Sequence, residues 1–142
     1  MKKNKLFEFV TINYHKDERG VLFMMQEKGA KVDALPTKIR RVFILKNLKP
    51  NLSRGNHTLK TTTQIIFLLS GSCEVELDNG NVKEKIKLNK FNKGLLIYPM
   101  VWRTLKNFSK DAILLVVADK KHNEKDYIRE YENFIQQVRR GI

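Results

Sequence analysis

The sequence predicts an all-β fold, a small antiparallel barrel or sandwich closed by one C-terminal α-helix. Short apolar or β-branched segments recur about every ten residues, a spacing typical of antiparallel sandwiches and barrels. The period becomes helical only near the C-terminus. A length of 142 residues with 42% hydrophobic residues fits one globular domain, residues 1–142.

Each predicted strand is a run of apolar residues bounded by polar or glycine-containing turns. The clearest boundary is Asp78-Asn79-Gly80-Asn81, because Asn-Gly favours the positive φ angles of a tight hairpin. The predicted strands are Phe7–Asn13, Val21–Gln26, Arg41–Lys46, Gln64–Ser70, Cys73–Asp78, Val82–Leu88, Gly94–Tyr98, Trp102–Asn107 and Ala112–Ala118.

The C-terminal segment predicts a helix over Glu124–Val138, with Asn123 as its N-cap. Its apolar stripe follows the spacing i, i+4, i+7 and i+11. The stripe consists of Tyr127, Tyr131, Phe134 and Val138.

The net charge is the unusual property of the composition. Twenty-eight Lys and Arg against fifteen Asp and Glu give +13, which could attract nucleic acid, anionic lipid or a phosphorylated small molecule. The cations are mostly lysines spread along the chain, so the charge alone does not select a partner. The lone Cys73 excludes disulfides within the chain and cysteine-based zinc sites, and a reduced cytoplasmic setting is expected. The longest apolar runs are too short to span a bilayer, so no membrane association is expected.

Polar residues that could line a cavity lie in two stretches, Arg54–Gln64 and Tyr98–Arg103. On a strand, His57 and Leu59 share a face, and Leu59 suggests that this face is interior. A histidine beside apolar neighbours is more often structural than catalytic. Gln64 opens an apolar strand, and a buried amide there needs hydrogen-bond partners.

The order of several motifs resembles that of the cupin-type sugar-nucleotide 3,4-ketoisomerases, the WxcM-like group. The motifs are Arg54-Gly55-x-His57-x-x-Lys60, Gln64, Ile39-Arg40-Arg41-Val42, Tyr98-Pro99-x-Val101-Trp102 and Asp126-Tyr127-Ile128-Arg129. The resemblance implies a cupin-like antiparallel β-barrel (jelly roll) and a dTDP-linked deoxysugar as partner. The implied reaction converts a dTDP-4-keto-6-deoxyhexose to the 3-keto isomer, with His57 as the catalytic proton shuttle. A homodimer is also implied.

Three positions depart from the pattern of that family. Its second histidine is Leu59 here, a tyrosine is Phe43, and a further histidine is Arg103. Metal-binding cupins supply three or four good ligands, whereas one imidazole and the Gln64 amide do not make such a site. No metal and no cofactor are therefore expected.

Anion binding is predicted from cations on or beside the strands that border the cavity. Guanidinium groups match phosphate oxygens with bidentate geometry. Tyr98 and Trp102 could stack on a thymine base or fill the core. The expected substrate-binding set is Arg41, Arg54, Lys60, Gln64, Tyr98, Trp102 and Arg103.

Two alternatives to the enzyme remain open at this point. Loss of the second histidine favours a non-catalytic cupin that binds a nucleotide-sugar as an accessory module. A basic nucleic-acid-binding β-barrel ranks last, because most aromatic residues lie in apolar or turn contexts rather than among exposed arginines.

Overall fold

A computed structural model describes residues 5–141, which form twelve β-strands, one 3₁₀ turn and one α-helix. The 3₁₀ turn is Glu124–Asp126 and the helix, α1, is Tyr131–Arg139. The strands are β1 (Phe7–Thr11), β2 (Tyr14–Asp17), β3 (Gly20–Phe23), β4 (Arg41–Leu45), β5 (Arg54–Leu59), β6 (Gln64–Ser70), β7 (Cys73–Asp78), β8 (Lys83–Leu88), β9 (Lys93–Ile97), β10 (Trp102–Lys106), β11 (Ile113–Ala118) and β12 (Tyr127–Ile128).

The strands form two five-stranded antiparallel sheets and one separate hairpin. The first sheet has the order β1-β9-β6-β11-β4, and the second has the order β12-β5-β10-β7-β8. The hairpin pairs β2 with β3. Consecutive strands such as β6 and β7 belong to different sheets, so the chain crosses repeatedly from one sheet to the other.

The main core lies between the two sheets. It joins inward side chains of the first sheet, such as Ile66 and Leu95, to those of the second sheet, such as Val75 and Leu105. A second apolar cluster covers the opposite face of the first sheet, where Phe67 packs with Leu35 from the segment that follows the hairpin. The central strand β6 of the first sheet is therefore buried on both faces, which explains its uninterrupted apolar sequence.

The predicted all-β fold with one C-terminal helix is confirmed, but the sheets do not close into a barrel. In the part of the chain that the structure describes, β4 ends one sheet and β12 ends the other, and no pairing joins these two edges. The sandwich is consequently open between β4 on one side and β5 with β12 on the other. A cavity lies at this opening.

The helix begins seven residues later than the predicted Glu124, at Tyr131. The Asn123 side chain caps the short 3₁₀ turn by accepting from the Lys125 amide. Tyr127 and Ile128 then pair with Leu59 and Thr58 of β5, which holds this segment extended. Tyr127 has the spacing of a helical residue relative to Tyr131, but its pairing with β5 makes it part of a strand. Helical spacing in the sequence does not show which element a residue packs against.

The predicted hairpin at Asn79-Gly80 is confirmed, because β7 and β8 pair from Asp78–Lys83 to Cys73–Leu88. Gly80 has φ +93°, the conformation that favours glycine. Among residues 5–141, no helix has the length and apolar character needed to cross a membrane.

Candidate active site

A cavity of about 200 Å³ opens between the sheets at the unclosed edge. It combines apolar walls with three guanidinium groups, one imidazole, one amide and one phenol. The lining residues are Phe43, Leu45, Arg54, Gly55, His57, Gln64, Ile66, Arg103, Leu105, Val116, Tyr127 and Arg129. Its volume is below the ~300–1,000 Å³ of pockets that enclose drug-sized ligands. The cavity can therefore take one sugar-sized group, with any larger substituent extending outside.

A β-bulge aims His57 into this cavity. Gly55 pairs with Thr104 of β10 and His57 pairs with Arg103, so the intervening Asn56 is the extra residue. Gly55 has φ +83°, and a Cβ there would come within 3.0 Å of the Arg103 carbonyl oxygen. The Arg-Gly-x-His motif therefore has a structural reason: glycine permits the close approach of β5 to β10 beside the site.

His57 is neutral and presents one free ring nitrogen. Its Nδ1 lies 3.0 Å from the Gly55 carbonyl oxygen, which can only accept, so Nδ1 carries the proton and Nε2 keeps its lone pair. Burial lowers the pKa of His57 to about 4, and the charge of Arg103 adds to this effect. The imidazole is therefore a base at neutral pH without prior loss of a proton.

Arg103 places a buried positive charge directly opposite His57. The side chain is 1% exposed. Its Nη1 donates to Gln64 Oε1 at 2.9 Å and its Nη2 to the Val101 carbonyl oxygen at 2.9 Å. Burial lowers the pKa of Arg103 to about 10, so the group stays charged at neutral pH. Gln64 thus has the partner that a buried amide requires, as the sequence indicated.

The charge of Arg103 has no carboxylate partner among the described residues, and its Nε–H has no acceptor among them. A buried cation that lacks a counterion is unfavourable, because desolvation is not repaid. An anionic ligand, or an oxygen that becomes anionic during a reaction, would supply the missing partner.

A second polar cluster forms the wall of the cavity contributed by β12. Arg41 Nη1 donates to the Tyr127 hydroxyl oxygen at 3.1 Å and to His122 Nδ1 at 2.8 Å. The Arg129 guanidinium lies 4.4 Å from the centroid of the Tyr127 ring, while Glu124 holds Arg129 at 2.6 Å. Tyr127 is therefore fixed on its ring face by one arginine and at its hydroxyl by another.

Asp126 anchors this wall to the end of β5. Its carboxylate accepts from the Thr61 amide at 2.9 Å, from the Thr61 hydroxyl at 2.8 Å and from the Thr62 hydroxyl at 2.5 Å. Burial alone would raise the pKa of Asp126, but these hydrogen bonds outweigh it and lower the pKa below the usual range. The position of Tyr127 thus depends on an ionised Asp126 beside it.

The structure brings together only part of the predicted site. Arg54, His57, Gln64 and Arg103 line the cavity, and Arg41 reaches its wall through Tyr127. The cavity lining does not include the other three predicted residues. They are Lys60, Tyr98 and Trp102.

Those three residues lie elsewhere for different reasons. Lys60 is exposed beyond the end of β5. Tyr98 packs against both apolar clusters. Trp102 precedes the inward Arg103, so it lies on the outer face of the second sheet, where it packs against Tyr131 and Phe134 of α1.

Sequence reasoning missed Tyr127 and Arg129 as cavity residues. The available signal was the Asp126-Tyr127-Ile128-Arg129 motif, which the resemblance already contained. The helical stripe assigned Tyr127 to a helix and concealed its role as part of a strand.

The outer face of the second sheet carries a larger groove of about 480 Å³, where Trp102, Thr104 and Tyr131 meet β7 and β8. Both charge signs line it, with Lys83 and Lys85 among the carboxylates of β7 and β8. The Tyr131 hydroxyl donates to Asp78 at 2.5 Å, and this bond raises the pKa of Tyr131 to about 12.

Within the described range, residues 5–141, no three His, Cys, Asp or Glu side chains come close enough to hold a metal ion. His57 and His122 both flank Tyr127, at ring-centroid distances of 5.0 and 5.5 Å, but His122 is held by Arg41.

The fold and this site are those of a cupin-like protein with a cationic, histidine-containing cavity. The sequence profile of the FdtA family (WxcM-like, C-terminal) matches residues 2–139, and the chain belongs to this family. It is 36% identical over 132 residues to a TDP-4-oxo-6-deoxy-α-D-glucose-3,4-oxoisomerase of Aneurinibacillus thermoaerophilus, covering 93% of this chain and 90% of that one.

Solved structures show the same relationship. A 3,4-ketoisomerase from Helicobacter canadensis has a TM-score of 0.87 and 34% identity, with 94% of this chain and 97% of that chain covered. QdtA, a sugar 3,4-ketoisomerase from Thermoanaerobacterium thermosaccharolyticum solved in complex with TDP, has a TM-score of 0.89 and 29% identity, with 98% of each chain covered.

Proposed function

We propose that this protein is a sugar-nucleotide 3,4-ketoisomerase of deoxysugar biosynthesis, acting on a dTDP-4-keto-6-deoxyhexose. The observation that carries the proposal is the cross-strand pair of His57 and Arg103 on β5 and β10. His57 is neutral, and Arg103 is a buried cation without a carboxylate partner among the described residues. The names of the family relatives agree with this activity. They favour it over the alternative of a non-catalytic accessory module.

The proposed reaction begins with loss of the proton on C3. The C3–H electron pair forms the C3=C4 double bond, the carbonyl pair moves to O4, and Nε2 of His57 takes the proton. The resulting enediolate needs a positive group that is already in place, and Arg103 is such a group because its guanidinium is fixed by Gln64 and Val101. Return of the proton from His57 to C4, with net transfer of the O3 proton to the O4 oxyanion, gives the neutral 3-keto isomer with a hydroxyl at C4.

Substrate binding divides between the cavity and its rim. The volume of about 200 Å³ fits the sugar ring, while Arg54 and Arg129 can meet the pyrophosphate at the rim. We propose that the nucleotide extends outside this cavity. The proposed chemistry transfers only protons, so no metal is required, and treatment with a chelator should leave turnover unchanged.

The proposed partner set also includes a second copy of the chain. Val42 and Ile44 lie on β4, an edge strand, and are 51% and 54% exposed. Together they offer an apolar face that a homodimer would cover. Sedimentation analysis should show a dimer that Ile44→Lys converts to monomer; a monomeric wild-type protein would contradict the homodimer.

The deciding experiment for the activity is NMR of the sugar in deuterated water. Incubation with dTDP-4-keto-6-deoxyglucose should produce the 3-keto isomer, with solvent deuterium entering at C3 or C4. Tight binding of the dTDP-sugar without product and without exchange would instead support the non-catalytic module.

A further inference from the structure

Among the described residues that line the cavity, only an imidazole, His57, and a phenol, Tyr127, can give and take back a proton. Arginine stays charged under working conditions, and the amide of Gln64 does not titrate. The remaining lining residues, apart from His57 and Tyr127, are apolar or glycine. If the carbon-bound proton moves through His57, the oxygen-bound proton has Tyr127 as the candidate carrier on this lining.

Strand register places Tyr127 on the same face as His57. Tyr127 pairs directly with Leu59, which is two residues from His57 and therefore on the same side of β5. The two rings lie 5.0 Å apart between centroids. Leu59 is fully buried and has no proton to exchange, so Tyr127 is the proton-bearing member of this cross-strand pair.

The hydrogen bonds of Tyr127 leave its own proton available. Arg41 Nη1 only donates, so the phenol oxygen accepts at 3.1 Å, and the hydroxyl proton has no acceptor among the described residues. Arg41 would also stabilise a phenolate formed when that proton leaves. In contrast, the hydroxyl proton of Tyr131 is already donated to Asp78.

We propose that Tyr127 is a second catalytic residue, which transfers a proton between O4 and O3 of the substrate. This inference rests on the proposed ketoisomerase function. As His57 removes the C3 proton, the Tyr127 O–H bond breaks and its proton goes to O4, giving a neutral enediol and a phenolate beside Arg41. The phenolate then removes the O3 proton while C4 takes the proton from His57. The C3 carbonyl forms, and both side chains return to their starting states.

The test is Tyr127→Phe, with Tyr131→Phe as the matched control. Loss of a positioned proton-transfer group costs about 10²–10⁴-fold. We expect kcat of Tyr127→Phe to fall by this factor while KM changes little, and we expect Tyr131→Phe to keep the wild-type kcat. Because His57 remains, NMR should show that Tyr127→Phe still exchanges the C3 proton with solvent faster than it forms product. Wild-type kcat in Tyr127→Phe would overturn the inference.

A second variant covers the case in which Tyr127→Phe does not fold. Replacing Tyr127 with a fluorotyrosine keeps the ring and hydroxyl and makes the phenol more acidic. The alkaline limb of the kcat–pH profile should then move to lower pH, and an unmoved profile would overturn the inference. If the wild type turns over and neither change at Tyr127 alters the rate or its pH profile, the role of Tyr127 is refuted while the ketoisomerase function stands. Absence of turnover in wild type refutes the ketoisomerase function and this role with it.

Discussion

The two faces of the second sheet carry two depressions with opposite character. The outer groove, beside Trp102, is more than twice as large as the inner cavity, at about 480 against 200 Å³. However, the groove is lined by both carboxylates and lysines, and the Tyr131 hydroxyl already donates a hydrogen bond to Asp78. The inner cavity holds a buried arginine, for which residues 5–141 provide no counterion, and a histidine kept neutral. The candidate active site is therefore distinguished by polar groups that still lack partners, and not by its volume.

The largest effect that can test this comparison is expected from His57→Asn. Removal of the base should lower turnover by about 10²–10⁴-fold, since no other imidazole lines the cavity among the described residues. Binding of dTDP should remain near the wild-type value. Coupled kinetics and calorimetry on the same preparation measure both quantities, and full turnover by the variant would remove His57 from the mechanism.

Arg103→Met is expected to weaken binding of the dTDP-4-keto sugar by roughly 10- to 150-fold, or about 1.5–3 kcal/mol, because one charge-assisted contact is lost. The double variant Gln64→Leu/Arg103→Met separates binding from folding. Replacing a buried charge and its partner with apolar groups is often neutral or stabilising, so its free energy of unfolding should not fall. Unchanged sugar affinity together with reduced stability would make Arg103 purely structural.

Stability should decrease as the solution becomes acidic, through His57. Its pKa is about 4 in the folded protein and about 6.5 in the unfolded chain, so the unfolded chain takes up the proton first as pH falls. Between pH 7.5 and 5 this group should remove at most about 2 kcal/mol from the free energy of unfolding. Urea unfolding of wild type and His57→Asn tests this: the wild type should lose more, and equal losses would contradict the depressed pKa.

The smallest effect is expected in the outer groove. Lys83→Ala and Lys85→Ala remove exposed charges that contribute little to stability. Both turnover and affinity for dTDP should stay at the wild-type values. A loss of ten-fold or more in either quantity would mean that the groove takes part in substrate binding and would reverse the comparison.

The sequence predicted the sheets better than it predicted the segment near the site. The buried runs Gln64–Ser70 and Ile113–Ala118 are identifiable because both faces of these central strands are covered. The strand Arg54–Leu59 has few apolar residues, and its bulge at Asn56 depends on contact with β10. Pairing between strands that are distant in the chain leaves no periodic pattern in the sequence, so the bulge could not be predicted.

The sequence likewise predicted only part of the candidate site. Gln64 was predicted because it opens an apolar strand, whereas His57 was predicted from the motif resemblance, and Arg54 and Arg103 as cations on or beside strands that border the cavity. Tyr127 was not found, because an aromatic residue at helical spacing looks like part of a helix. Trp102 and Tyr98 were placed at the site by motif alone, and strand alternation with core packing puts them elsewhere.

The burial of Arg103 also determines how the protein should respond to ionic strength. The net charge of +13 belongs mainly to dispersed lysines, whose attraction for an anionic ligand acts through water and weakens once the Debye length falls to about 8–10 Å. Arg103 is 1% exposed, and mobile ions screen a buried charge much less than an exposed one. Added salt should therefore slow the encounter with a nucleotide-sugar while the lifetime of the bound sugar changes far less.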